Sequence, residues 1–244
     1  MFKTVLWATD GSTAAERALS VAKSIAKTYD AKLLVTNVPV VLGNSPLAVA
    51  ASQESAERIE AALHRKVEDL KREGKIRAFG VSINDHQASN AVELIETGAV
   101  DTVQVIYNVF DQSPEDRLLP ACQEHNVGVI VRVPFDEGSL TGRITPDTTF
   151  EEGDFRNDYF RGGRKQEVYD RVRAIVSELG ASEDEIAEIA LRYILSHPAV
   201  STVIPGMRSV RNVERNAAVG DGRGLPEEQV AALKKHRWVR DFYR

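Results

Sequence analysis

Five histidines, one cysteine and a knot of acids are the side chains whose chemistry could reach beyond packing. His64, His86, His125, His197 and His236 show no spacing that would ligate a metal from one helix or loop, so no metal site is expected. Asp111, Glu115 and Asp116 crowd around Pro114. Carboxylates this close can share a cation. Acids beside a proline also mark a helix start, where negative charge meets the helix dipole, and this is the expectation here. Cys122 stands alone, which excludes an intrachain disulfide and a cysteine-built zinc site, and it reads as an inert helix residue. Asp10-Gly11-Ser12 closes a short apolar run and reads as a tight turn with Ser12 capping the next helix. From Pro134 to about Lys165 no periodicity holds, and Gly, Asp, Arg and aromatics abound. Such length inside a compact domain signals a functional loop or a disordered one.

The elements that must position these groups alternate. Short apolar runs at Thr4–Ala8, Lys32–Val38, Ile76–Val81, Thr102–Ile106, Val127–Val131 and Thr202–Ile204 read as strands. Between them lie stretches of helical period. The first carries Ala14, Ala18, Val21, Ala22 and Ile25 on one face. After a loop at Pro39–Pro46 a second runs from Leu47 to Glu73 and is stopped by Gly74. Others are expected at Ala88–Thr97, Pro114–His125, Gln166–Leu179, Glu183–Ser196 with Ser182 as cap, Val210–Val219 and Glu227–Arg240. Trp238, Phe242 and Tyr243 then dock the last helix. Alternation of this kind implies an α/β fold of six consecutive parallel βα units.

The chain has 244 residues, of which 43% are hydrophobic, enough to bury a sizeable core. With 31 basic against 36 acidic residues the net charge is −5, so no concentrated positive field is available for nucleic acid. No apolar run reaches the roughly 18 residues a membrane helix needs, and no membrane partner is expected. Cysteine usage and the strand-like N-terminus point to the cytoplasm.

Residues 1–74 resemble the universal stress protein family. Val5-Leu6-Trp7-Ala8-Thr9-Asp10-Gly11-Ser12, Ala18 and Ala22, Leu33-Leu34-Val35-Thr36-Asn37-Val38 and Leu70-Lys71-Arg72-Glu73-Gly74 carry the likeness. That family has a Rossmann-like sheet and many members bind ATP, with Asp10 as the matching nucleotide residue. Residues from about 71 to 244 resemble the C-terminal half of the aldo-keto reductases. Here the carriers are the run from Lys71 to Ser82, Val103-Gln104-Val105-Ile106-Tyr107-Asn108, and Pro134 with Gly138-Ser139-Leu140-Thr141-Gly142-Arg143. Ile204-Pro205-Gly206 through Asn212 and Asn216 complete them.

The two resemblances imply a chimera joined at Leu70–Lys75, with a stress-protein-like βαβα fragment (1–74) and a reductase-like (βα)4 half barrel (75–244). Its fold would be a hybrid of a Rossmann-like sheet and half a TIM barrel, open or partly closed. Exposed sheet edges would then pair two copies as a homodimer. By the reductase resemblance Ser82, Asn84 and Gln104 hold a nicotinamide amide, and Arg132 takes the place of a stacking Tyr. Pro134, Leu140 and Gly142 lie along the pyrophosphate. Gly206, Arg208, Asn212 and Asn216 meet the adenosine end, with Arg208 facing the 2′-phosphate. The family's Tyr, Lys, Asp and His proton-transfer set belongs to the other half of the barrel, and Tyr29 offers no substitute context. The expectation is therefore an engineered scaffold without activity and with no required cofactor. The alternatives are a residual NADP-binding module and an NADP-dependent oxidoreductase.

Overall fold

The computed structural model describes residues 4–9, 13–28, 32–37, 65, 67–83 and 86–243. Asp10, Tyr29, the Pro39–Pro46 loop, positions 47–64 of the expected long helix with His64, and Asn84 lie outside the described residues. The strands are β1 (Thr4–Thr9), β2 (Lys32–Asn37), β3 (Gly80–Ser82), β4 (Thr102–Ile106), β5 (Gly128–Arg132) and β6 (Val200–Val203). The helices are α1 (Thr13–Thr28), α2 (67–72), α3 (Val92–Glu96), α4 (Leu118–Glu124), α5 (Arg156–Tyr159), α6 (Arg164–Leu179), α7 (Ile186–Leu195), α8 (Val210–Ala218) and α9 (Glu227–Lys234). This is an α/β alternation. The chain divides into two compact units, Met1–Ser82 with Leu94–Val103, and Ile83–Glu93 with Gln104–Arg244.

In the first unit β1 pairs in parallel with β2 from Thr4↔Lys32 to Thr9↔Asn37, and β2 pairs in parallel with β3 at Asn37↔Val81. Helix α1 makes the crossover. Among its residues whose burial is described, 19–28, Ala22 and Ala26 are buried, whereas Val21 is 58% exposed and Ile25 36%. Of the expected stripe Ala22 is therefore inward, with Ala26 four residues on sharing its face, while Val21 and Ile25 are not. Gly74, at φ +66°, ends α2 as expected. Lys75 N–H reaches Leu70 C=O at 2.9 Å and Gly74 N–H reaches Lys71 C=O at 3.0 Å, which closes the helix in a Schellman motif.

In the second unit β5 and β6 pair in parallel, with a register shift between Val129 and Ile130. Ser201 is the extra residue, and its Oγ accepts the Val129 N–H at 3.1 Å, satisfying a donor the shift displaces. Val129 and Val131 of β5 and Val105 and Ile106 of β4 are buried. Leu118 and Leu119 of α4, Val168 and Ile175 of α6, and Ile186 and Leu191 of α7 are buried as well, with α4 packed on β5 and α7 on β6. Helix α9 is shorter than expected. Past Lys234 the amides of Lys235, His236 and Arg237 bond three residues back, and the Trp238 N–H then turns to Phe110 C=O at 2.8 Å. Packing of the terminal aromatics against Phe110 and Tyr159 outweighs further helix, so 235–243 forms an irregular C-terminal segment. Among the described residues no helix is long and apolar enough to cross a membrane.

Candidate functional site

The chain beyond β5 takes an unusual path. Val133, Asp136 and Glu137 all lie at positive φ (54°, 51° and 56°). A β-branched residue there is strained, and such strain persists only where the surroundings hold it. Asp136 is the holding point. It is buried, ion-pairs with the buried Arg240 guanidinium, and accepts a hydrogen bond from the Tyr159 hydroxyl at 3.3 Å. Arg240 in turn lies over the rings of Trp238 at 4.2 Å and Phe242 at 4.6 Å. Tyr159 supplies a further donor to the Asp136 carboxylate, and the aromatic faces meet the charge of the Arg240 guanidinium, whose buried Nε has no hydrogen-bond partner.

This path makes one wall of a cleft of about 810 Å³ beyond the carboxyl ends of β5 and β6. Pro134, Phe135, Glu137 and Gly138 line that wall, and Ile204, Gly206, Arg208 and Asn212 line the opposite one. Between them comes the stretch read as a loop, which is built rather than loose. Lys165 Nζ donates to Thr148 C=O at 2.7 Å, Asn157 Nδ2 to Glu151 C=O at 2.8 Å, and Phe150 stacks on Phe160 at 5.6 Å. The cleft has three guanidinium groups, Arg143, Arg156 and Arg208. Asp154 takes up Arg156, whose Nε donates to Oδ1 at 3.0 Å, and this pairing holds the Asp154 carboxyl down to about 2. Arg143 and Arg208 are exposed.

The sequence-derived candidates divide. Pro134, Gly206, Arg208 and Asn212 line the cleft. Asn216 stands behind it, its Nδ2 donating to Gly206 C=O at 3.4 Å. Leu140 is fully buried core. Gly142 faces Glu183, whose carbonyl oxygen lies 2.3 Å from where a Cβ would sit, so this glycine is demanded by packing. Ser82 ends β3 and Gln104 sits within β4, whose C=O accepts the Ile83 N–H at 2.8 Å. Arg132 Nη2 donates to Ile83 C=O at 3.1 Å. Sequence reasoning gave no role to Arg143, which entered only within the run 138–143 that carries the family resemblance, and it missed Glu137, Asp154 and Arg156, whose stretch was marked by composition alone.

The acids near Pro114 do not act as one cluster. Asp111 takes His86 Nδ1 at 2.8 Å, Glu115 takes Lys234 at 2.8 Å, and Asp116 pairs with Arg237. Ser113–Asp116 forms a 3-10 turn ahead of α4. Cys122 is buried, which pushes its thiol up to about 11 and leaves it inert at neutral pH. Among the described residues no three His, Cys, Asp or Glu side chains gather as a metal site would need.

The sequence profile of the aldo/keto reductase family matches residues 42–237. The chain belongs to this family. An uncharacterized oxidoreductase YqkF of Bacillus subtilis is 29% identical over 177 residues, 72% of this chain and 55% of that protein. The NADH-specific methylglyoxal reductase of Escherichia coli is 29% identical over 150 residues, 62% of this chain and 45% of that protein. The chain thus spans about half the length of the curated relatives it matches. A solved aldo-keto reductase from Bacillus halodurans, in its holo form, superposes with a TM-score of 0.60 at 21% identity. That superposition covers 98% of this chain and 76% of that one, and shows a shared fold.

These matches overturn the reading of an engineered chimera. The family match begins at residue 42, well before the supposed junction at Leu70–Lys75, and the fold likeness extends across both parts. Nothing in them supports a stress-protein segment. The short strand–turn and alanine-rich helix that suggested one are features any parallel βαβ unit shares. The expectation of no enzymatic character falls as well, because the matched relatives are named oxidoreductases. It rested on assigning the first 74 residues to another family.

Proposed function

We propose that this chain is an NAD(P)(H)-dependent oxidoreductase acting on carbonyl groups or the corresponding alcohols, with the dinucleotide in the cleft beyond β5 and β6. The observation that carries this reading is the cleft itself. Its volume of about 810 Å³ suits a nucleotide-sized ligand. A Cβ built on Gly138 or Gly206 would meet nothing within 4 Å, so the backbone on both walls is open to close approach. The finer architecture is read the same way, as a run of six parallel βα units related to those of a reductase barrel, whose sites sit at the carboxyl ends of its strands.

When bound, the dinucleotide supplies or accepts hydride. The chain's own residues bind and orient it. Arg208 and Arg143 meet phosphate oxygens, since a guanidinium pairs with phosphate through two parallel N–H donors. The first turn of α8, capped where Ser209 Oγ accepts the Asn212 N–H at 3.3 Å, adds partial positive charge on the same wall. Asn216 fixes the Gly206 carbonyl, and Pro134 keeps the opposite wall rigid. Arg208 is the residue assigned to a 2′-phosphate, which favours NADPH over NADH. A matched yeast relative is named with NADP(+), and a solved homologue from Klebsiella pneumoniae is described in complex with NADPH.

Fluorescence titration with NADPH and NADH tests the site, and carbonyl-dependent loss of NADPH absorbance tests the chemistry. Saturable NADPH binding, weakened about tenfold or more in R208A while NADH binding changes little, is the expected result. Absence of binding at millimolar cofactor would reject the reading. Tight binding without turnover on any small aldehyde or ketone would remove its oxidoreductase part.

A further inference from the structure

Outside the cleft, one partly buried polar cluster has no role in holding a nucleotide. His86 lies beyond β3 in the left-handed region at φ +53°. Its Nδ1 is 2.8 Å from Asp111 Oδ2, in the turn after β4. Its Nε2 is buried, has no hydrogen-bond partner, and lies 3.9 Å from Asp241 Oδ1 of the C-terminal segment. Tyr243 of that segment packs its ring 5.7 Å from the imidazole and donates its hydroxyl to Glu137 Oε1 at 2.5 Å. Glu137 is a cleft residue.

The two carboxylates decide the charge on the ring. A neutral imidazole has one N–H and one lone pair. If Nδ1 carries the proton, the Nε2 lone pair faces the Asp241 carboxylate in a buried position. If Nε2 carries it, the Nδ1 lone pair opposes Asp111 at hydrogen-bond distance. Only the imidazolium offers a donor to both. The groups facing it are Asp111 from the β4 turn, and Asp241, Tyr243 and Arg240 from the C-terminal segment. The hydrogen bond to Asp111 raises its proton affinity, burial works against this, both carboxylates add to the rise, and Arg240 opposes it.

We propose that protonated His86 is a latch that holds the C-terminal segment against the cleft wall, and that loss of its proton frees that segment and loosens Tyr243 from Glu137. His86 is a positioning residue, acting on the cleft through Asp241 and Tyr243. The sign follows from linkage. A histidine whose folded proton affinity is raised contributes stability that is full below the unfolded value of 6.5 and is lost as pH rises through the folded value. The latch therefore opens on the alkaline side of 6.5.

Hydrogen–deuterium exchange of residues 237–243, corrected for the intrinsic pH dependence of exchange, reads the latch in the full chain without any dinucleotide. Protection should fall about fivefold between about pH 6 and about pH 9 in the wild type. In H86Q it should be low and flat with pH, because glutamine can reach Asp111 but carries no charge. D241N keeps the His86–Asp111 pair and should lose most of the pH dependence, and it decides the matter if H86Q does not fold. Exchange in α6 serves as the check on folding. Flat protection in the wild type, or an unchanged pH profile in both variants, would overturn the proposal. Failure of the cofactor reading would leave this readout untouched.

Discussion

Gly142 and Gly206 carry the same side chain and were both assigned to a cofactor, yet their surroundings set them apart. Gly142 sits at φ +72° with Glu183 C=O where a Cβ would go. An alanine there must both strain the backbone and push a carbonyl aside, and G142A should lose about 2–4 kcal/mol of stability in denaturant unfolding. Gly206 has an ordinary φ and open space. G206A should keep stability within about 0.5 kcal/mol of wild type while weakening NADPH binding several-fold, because the new methyl occupies the approach. A stability loss in G206A, or unchanged NADPH affinity, would count against the close approach inferred at that wall. Both residues were visible in the sequence as glycines near an expected site. What separated them, the carbonyl of Glu183, comes from a distant part of the chain and left no local mark.

At the scale of elements, α9 is tied down by one carboxylate. Glu115 Oε1 accepts from the hydroxyls of Tyr107 at 2.7 Å and Tyr193 at 2.9 Å, while Oε2 meets Lys234 Nζ at 2.8 Å. The 3-10 turn, α7 and α9 thus share a single partly buried acceptor. Burial works against the charge, but the bonds from Lys234, Tyr107 and Tyr193 prevail and hold this carboxyl below its usual range. Its stabilisation is therefore full above the unfolded value of 4.5 and is lost as pH falls through the lower folded value. E115Q should cost about 2 kcal/mol at neutral pH, and its unfolding midpoint should fall less steeply than the wild type's below 4.5. Parallel acid profiles for the two proteins would remove Glu115 from this role. The elements themselves were largely legible. Periodicity located β4, α6 and α8, and Gly74 marked a helix end that the structure closes with a left-handed residue. What periodicity could not show was where tertiary contacts override it. Trp238, Phe242 and Tyr243 pull the chain out of helix after Lys234, and Ser201 inserts into β6 because its hydroxyl can replace a ladder bond. Likewise His86 and Asp111 are 25 residues apart, and neither one's sequence neighbourhood names the other.

For the whole molecule, the cleft draws its lining from two stretches, 133–156 and 204–212, both within the unit of Ile83–Glu93 and Gln104–Arg244. A ligand that joins them binds only when that unit is folded, so its binding free energy adds to folding stability. With NADPH at about 100 times its Kd, linkage adds about 2.7 kcal/mol. For a chain of this size that corresponds to a rise in Tm of roughly 5–10 °C. The gain should grow with the logarithm of NADPH concentration and shrink in R208A. Hydrogen exchange should slow in α8 and in residues 133–156, where the two walls meet the ligand. A rise in Tm without slower exchange in either stretch would place the dinucleotide elsewhere on the chain. The family relationship would still hold in that case, because it rests on the match over residues 42–237 and not on this cleft.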